Sequence, residues 1–257
     1  MTHPHTPILL IGGMDSSGGA GLLRDTATAT QLGVAHRVAV TAVTAQSDQA
    51  VTAIHPVPPD VIAAQIAVAV QAPIGAVKIG MLGTRRAVEV IAQHLPDAPL
   101  VLDPVVQSSS GRDLLAPDAL TALLTLLLPR ASIVTPNLPE LSVLATALGH
   151  SSSAPPADQA RAILSRGCGA VLVKGGHNGH ATLSEDILYL GSGEAITLTA
   201  PRCAVALRGT GCQLATAIAA HLALGHSMVQ AVELAKHMLT TRFRVAAQAS
   251  QDSVVLA

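Results

Sequence analysis

Three short segments put reactive or anion-binding groups where helical patterns start. In "RGTGC" (residues 208–212), Gly209 and Gly211 free the backbone to converge several N–H groups just ahead of a helical pattern. Such a turn, at the positive end of a helix, suits charge spread over a phosphoryl group in flight. Cys212 closes the turn, and the helix end is expected to depress its pKa toward thiolate. Two readings of Cys212 stay open on these grounds: a general base, or a small apolar core residue. "GGMDSSGGAG" (12–21) follows an apolar run and opens a helix. It lacks the lysine of a P-loop and the spacing of a dinucleotide fingerprint, so it reads as a receptor for an anion or small polar ligand, or as a plain turn. In "TPNLPE" (135–140), Asn137 and Glu140 have capping-box spacing, unless Glu140 faces a phosphate and magnesium region.

The chain has only three lysines, Lys78, Lys174 and Lys236, and the first two interrupt apolar runs. A lysine in "VLVKGG" (171–176) must bring its ammonium to an anion or to water at the strand's end, and nucleotide phosphates would serve for Lys174. His177 and His180 read as a solvated turn rather than a metal pair, and His3 and His5 as a loose terminus. Cys168 and Cys203 lack a glycine turn and read as core.

These groups need strands to end beside helix starts. Continuous β-branched runs at residues 7–13, 37–45, 76–82, 100–106, 132–137 and 170–176 suit strands buried on both faces of a parallel sheet. Helical patterns over 18–32, 59–71, 84–95, 117–128, 138–148 and 157–166 alternate with them. Residues 181–201 read as an antiparallel edge hairpin, followed by helices over 212–224 and 227 to about 247. The fold class is α/β, with the candidate residues at strand ends, where open parallel sheets bind ligands. One domain spans residues 1–257, with residues 1–6 and about 248–257 as loose termini.

Composition excludes several roles. Hydrophobic residues reach 49% and charged ones 12%, enough for a core and too apolar for disorder. Tyr189 and Phe243 are the only aromatics, and the 15 basic residues are scattered over a chain of net charge −1. Stacking platforms and a basic footprint are both missing, which argues against nucleic acid as a partner. No apolar run is long enough for a bilayer span, and "MTHPHTPILLIGG" lacks the basic start of a signal peptide. Three cysteines without Cys-x-x-Cys spacing point to a reducing compartment, so a cytoplasmic location is expected.

Taken in order, "GGMDSSGGAGLLRD", "TAVTAQ", "VKIGML", "VLDPVV" with "SSSGRDLL", "TPNLPE", "VLVKGGH" and "RGTGC" resemble the hydroxymethylpyrimidine and phosphomethylpyrimidine kinases of thiamin biosynthesis. The resemblance covers about residues 8–245 and implies a ribokinase-like three-layer αβα sandwich, with a mostly parallel central sheet. It further implies ATP and Mg²⁺ as cofactors, an aminopyrimidine alcohol and its phosphate as small-molecule substrates, and a homodimer. Gly13 and Asp25 then inherit substrate binding, Gln46 the aminopyrimidine edge, and Met81 and Val106 the apolar ring pocket. Lys174, Asn137 and Thr210 fall on the ATP side, with Glu140 and Asp103 as magnesium ligands. Gly209, Thr210 and Gly211 would form the anion hole, and Cys212 holds the place of a catalytic aspartate in ribokinase relatives. Arg208 and Gln213 stand where the family commonly has His and Thr, Met14 and Ser16 replace usual loop residues, and Ser109 replaces a lysine. Related vitamin kinases make pyridoxal or pyridoxine phosphorylation a second reading, and the departures make a catalytically idle pyrimidine-binding module a third.

Overall fold

Among the described residues, the apolar runs and amphipathic stretches assemble into one nine-stranded sheet with helices on both faces. The computed structural model describes residues 6–108, 110–175 and 182–255, with side chains described to residue 249. Ser109, His177, His180, His3 and His5 lie outside the described residues. The first half of the chain runs β1 (Ile8–Asp15), α1 (Gly21–Gln31), β2 (His36–Gln46), β3 (Val51–Pro56), α2 (Pro59–Ala69), β4 (Ala76–Ile79), α3 (Arg85–His94), β5 (Leu100–Leu102) and α4 (Pro117–Ala122). It continues through β6 (Ile133–Val134), α5 (Leu138–Ala147), α6 (Pro156–Leu164), β7 (Ala170–Lys174), β8 (Leu183–Leu190), β9 (Ala195–Pro201), α7 (Thr210–Ala223) and α8 (Met228–Val255).

Strand order is β3-β2-β1-β4-β5-β6-β7-β8-β9. The centre, β2 to β7, is parallel, as the continuous apolar runs predict. The β8–β9 hairpin closes one edge antiparallel. The other edge is also antiparallel, through β3 on β2, a strand the sequence pattern does not reveal.

The pleat sorts side chains between two apolar layers. Leu9, Ile11, Val77 and Ile79 pack with α2, α3, α5 and α6. Ile8, Leu10 and Ala76 face the opposite way, against α1, α7 and α8. Lys78 therefore shares a face with Ala76 and is directed at α1 and α7, which decides its partner below.

Two boundaries differ from expectation. The helix over 117–128 leaves α geometry after Ala122, widens to a π turn at Leu123–Leu127 and tightens to a 3₁₀ turn at Leu128–Arg130. Pro129 supplies no N–H and its ring obstructs the preceding turn, so the α register cannot run through it. The last helix, expected to end at about residue 247, continues as α8 to Val255. Among the described residues no helix is long and apolar enough to cross a membrane.

Candidate active site

The carboxyl ends of adjacent parallel strands bring the candidate residues together. Gly13 lies near the end of β1, at a register shift that leaves Thr41 of β2 as the extra residue. Gln46 ends β2, Met81 follows β4, Asp103 and Val106 follow β5, Asn137 follows β6, and Lys174 ends β7. These residues, with Asp25, Glu140, Gly209, Thr210, Gly211 and Cys212, all line one cavity of about 600 Å³. That volume is typical of a small-molecule site.

The two glycine loops meet beside the cavity. Gly209 takes φ +68 at the N-cap of α7, a conformation costly for any residue with a Cβ. A Cβ there would also overlap the Gly19 carbonyl oxygen, so glycine allows the loops to touch. Among the described residues no side chain caps α7, and Thr210, Gly211 and Cys212 of its first turn line the cavity, an arrangement whose free N–H groups can receive an anion. Gly211 is close to a further cation: a Cβ on it would lie 3.2 Å from Lys174 Nζ.

Lys174 resolves its desolvation by ion pairing. Its Nζ lies 3.0 Å from Asp103 Oδ1 and 3.7 Å from Glu140 Oε2. Burial opposes its charge, but these carboxylates outweigh burial and hold the ammonium above the ordinary lysine range. Glu140 is pushed upward by burial, against the pull of Lys174. The capping-box reading of Asn137 and Glu140 holds, and the box sits at the cavity wall. Asn137 Oδ1 accepts from the Glu140 amide and Glu140 Oε2 accepts from the Asn137 amide, each at 2.8 Å, while both residues line the cavity. Farther back, Lys236 pairs with Asp186 at 2.6 Å, and Asp186 accepts from the Gly175 amide at 2.9 Å, anchoring the strand end that carries Lys174.

Asp103 and Glu140 offer hard oxygen donors, and among the described residues no group of three or more His, Cys, Asp or Glu could hold a metal. This donor set fits a magnesium ion whose shell is completed by phosphate oxygens and water rather than by a protein cage.

At the cavity wall lies a buried ion pair, Lys78 with Asp25, that sequence reasoning did not assign. Lys78 Nζ lies 2.7 Å from Asp25 Oδ2, with side-chain exposures of 1% and 0%. Thr216, one turn beyond Cys212 on α7, donates to Asp25 Oδ1 at 2.8 Å. Burial raises the Asp25 pKa, with Lys78 and Thr216 pulling it back. Burial works against Lys78 too, but Asp25, Cys212 and Asp103 prevail and keep the ammonium charged. A signal was available: Asp25 sits among Leu22, Thr28 and Ala29 on the buried stripe of α1, where a carboxylate demands a partner.

Cys212 departs from the expected depressed pKa. The residue keeps some solvent contact, but its sulfur sits deep among protein atoms, and burial pushes the thiol up to about 11. The Lys78 ammonium lowers it, Asp25 and Asp103 raise it, and the Gly21 backbone N–H, directed at the sulfur, lowers it. The helix end is outweighed by desolvation. Cys168, read as core, is buried and directs its thiol to the Ile163 carbonyl at 3.6 Å.

The sequence profile of the family Phosphomethylpyrimidine kinase matches residues 15–255. A Haemophilus influenzae protein named hydroxymethylpyrimidine/phosphomethylpyrimidine kinase is 40% identical over 240 residues, covering 91% of this chain and 89% of the relative. Among solved structures, phosphomethylpyrimidine kinase from Clostridium difficile matches with a TM-score of 0.75 at 36% identity, covering 92% of this chain and 99% of that one. Pyridoxal kinase from Staphylococcus aureus in complex with ADP matches with a TM-score of 0.81 at 32% identity, over 91% and 86% of the two chains.

Proposed function

The chain belongs to the phosphomethylpyrimidine kinase family, and from that membership we propose that its cavity phosphorylates 4-amino-5-hydroxymethyl-2-methylpyrimidine with ATP, then the monophosphate to the diphosphate, in thiamin biosynthesis. The observation that carries this reading is the meeting of Gln46, Met81 and Val106 with Cys212, the Gly209–Gly211 turn and Lys174 around one cavity. In it, Gln46 donates to and accepts from the aminopyrimidine edge, while Gly13 and Asp25 help enclose the ring.

The hydroxymethyl oxygen attacks the γ-phosphorus, the bond to the ADP oxygen breaks, and the hydroxyl proton passes to the Cys212 thiolate. With the thiol at about 11, only the ionised minority can accept that proton. Lys78, the Gly21 backbone N–H and the start of α7 favour it. The amides of residues 210–212 and Lys174 neutralise charge on the transferring group, with Asn137 and Thr210 on the nucleotide side. Asp103 and Glu140 would hold Mg²⁺, which when bound would neutralise phosphate charge. Family membership also supports a cytoplasmic homodimer without nucleic-acid partners.

The likeness to pyridoxal kinases favours a second reading, in which the same pocket takes a pyridine alcohol. ADP release measured with the hydroxymethylpyrimidine, its monophosphate and pyridoxal separates the two. Turnover on both pyrimidines exceeding that on pyridoxal is the expected result. Preference for pyridoxal would overturn the assignment, and ligand binding without turnover on any of the three would mean an idle binding module.

A further inference from the structure

Arg208 stands just ahead of the anion turn, but its guanidinium points across to other segments. Nη1 donates to Ser17 Oγ at 2.9 Å and to Asp48 Oδ1 at 2.6 Å, and Nη2 donates to Asp15 Oδ2 at 3.1 Å. Ser17 and Asp15 belong to the first glycine loop, and Asp48 to the turn that follows Gln46. These anchors lie 160 to 193 positions away in the chain.

Each end of the bridge is itself tied down. Asp15, a cavity-lining residue, also accepts from Ser17 N at 2.9 Å, Ser17 Oγ at 2.8 Å and Ala20 N at 2.9 Å, so one carboxylate shapes the whole loop. The Gln46 amide donates to Ser16 Oγ at 3.1 Å. Behind Arg208, Arg242 of α8 donates to the Arg208 carbonyl at 3.3 Å and to Gln213 Oε1. Gly19 leaves the room the guanidinium occupies: a Cβ there would stand 2.7 Å from Nη1.

We propose that Arg208 is a positioning residue that clasps the Gln46 turn and the first glycine loop to the anion turn, fixing the pyrimidine and phosphoryl halves of the cavity as one unit. The kinetic consequences rest on the kinase reading; the mechanical one does not. Its two arms differ in setting, since the Asp15 side chain is 4% exposed and that of Asp48 is 84% exposed. The outer arm can therefore be cut without disturbing the anion turn. A lysine would keep the charge but not the planar fork that spans three acceptors.

The test combines amide hydrogen exchange on the ligand-free protein with steady-state kinetics on the hydroxymethylpyrimidine, for Asp48→Ala, Arg208→Ala and Arg208→Lys. Asp48→Ala should raise KM about two- to five-fold with kcat nearly unchanged, as fits an exposed pair. Salt should raise KM in the wild type and not in that variant. Arg208→Ala should lose exchange protection together at residues 16–18 and 46–50, with β1 and β4 still protected. Its kcat/KM should fall about tenfold or more, with partial recovery in Arg208→Lys. Unchanged protection in Arg208→Ala, or a KM in Asp48→Ala equal to the wild type at every salt concentration, would overturn the clasp. If the wild type fails to phosphorylate the pyrimidine while Arg208→Ala still loses protection at both segments, the kinase reading falls and the clasp stands.

Discussion

Replacing Cys212 by Asp should change how the rate depends on pH, by an amount the structure fixes. With the thiol near 11, the thiolate is about one part in ten thousand at pH 7. If the sulfur takes the hydroxyl proton, the phosphoryl-transfer rate tracks this population and climbs about tenfold per pH unit between pH 7 and 9. A carboxylate, with an ordinary pKa near 4, is ionised throughout that range, so the Cys212→Asp profile should be nearly flat. Cys212→Ser, whose hydroxyl does not ionise there, should lose about 10²- to 10⁴-fold. Rapid-quench single turnovers at saturating pyrimidine and nucleotide, from pH 6.5 to 9, isolate the chemical step from product release. A flat wild-type profile, together with a Cys212→Ser rate equal to the wild type, would refute proton transfer to the sulfur.

Other consequences are equally direct. Lys78→Met leaves Asp25 buried without its counter-charge and should cost about 3–5 kcal/mol in urea unfolding, whereas Asp25→Leu with Lys78→Met should recover most of it. Because burial raises the Asp25 pKa above its unfolded value, the folded Lys78→Met protein binds more protons than its unfolded chain; its stability should be greatest in acid and fall as pH rises through the folded pKa. A double variant no more stable than the single one would mean the pair is not the source of the loss. Gly209→Ala should cost about 1–3 kcal/mol from its φ alone, read as a lower Tm, with more from overlap with the Gly19 carbonyl. Gln46→Ala should raise the pyrimidine KM about three- to tenfold per hydrogen bond lost, with kcat nearly unchanged, in steady-state assays.

The parallel core was legible because its strands are buried on both faces, so β1, β4 and β7 appear as apolar runs, broken in β4 by Lys78 and ended in β7 by Lys174. β3 was not, because an edge strand with burial on one side and a terminal Pro56 carries too few apolar positions to stand out. At the site, glycines forced by φ or by close approach mark both loops in the sequence, and the strand ends bring their neighbours together. What local reading missed depends on contacts between distant segments. Lys78 needed the pleat to aim it at Asp25, 53 positions away, and Arg208 needed the fold to bring Asp15 and Asp48 within reach. The Cys212 thiol shows the same limit from the other side: the helix end is local and legible, while the desolvation that outweighs it comes from the surrounding fold.

The central claim is that one cavity holds the pyrimidine against Gln46 and its alcohol against Cys212. A crystal structure with the hydroxymethylpyrimidine and a non-hydrolysable ATP analogue tests it directly. The account predicts the ring edge hydrogen-bonded to the Gln46 carboxamide, the hydroxymethyl oxygen within hydrogen-bond reach of Cys212 Sγ, and the γ-phosphate on the amides of residues 210–212. A pyrimidine bound away from Gln46, or a γ-phosphate away from that turn, would contradict it.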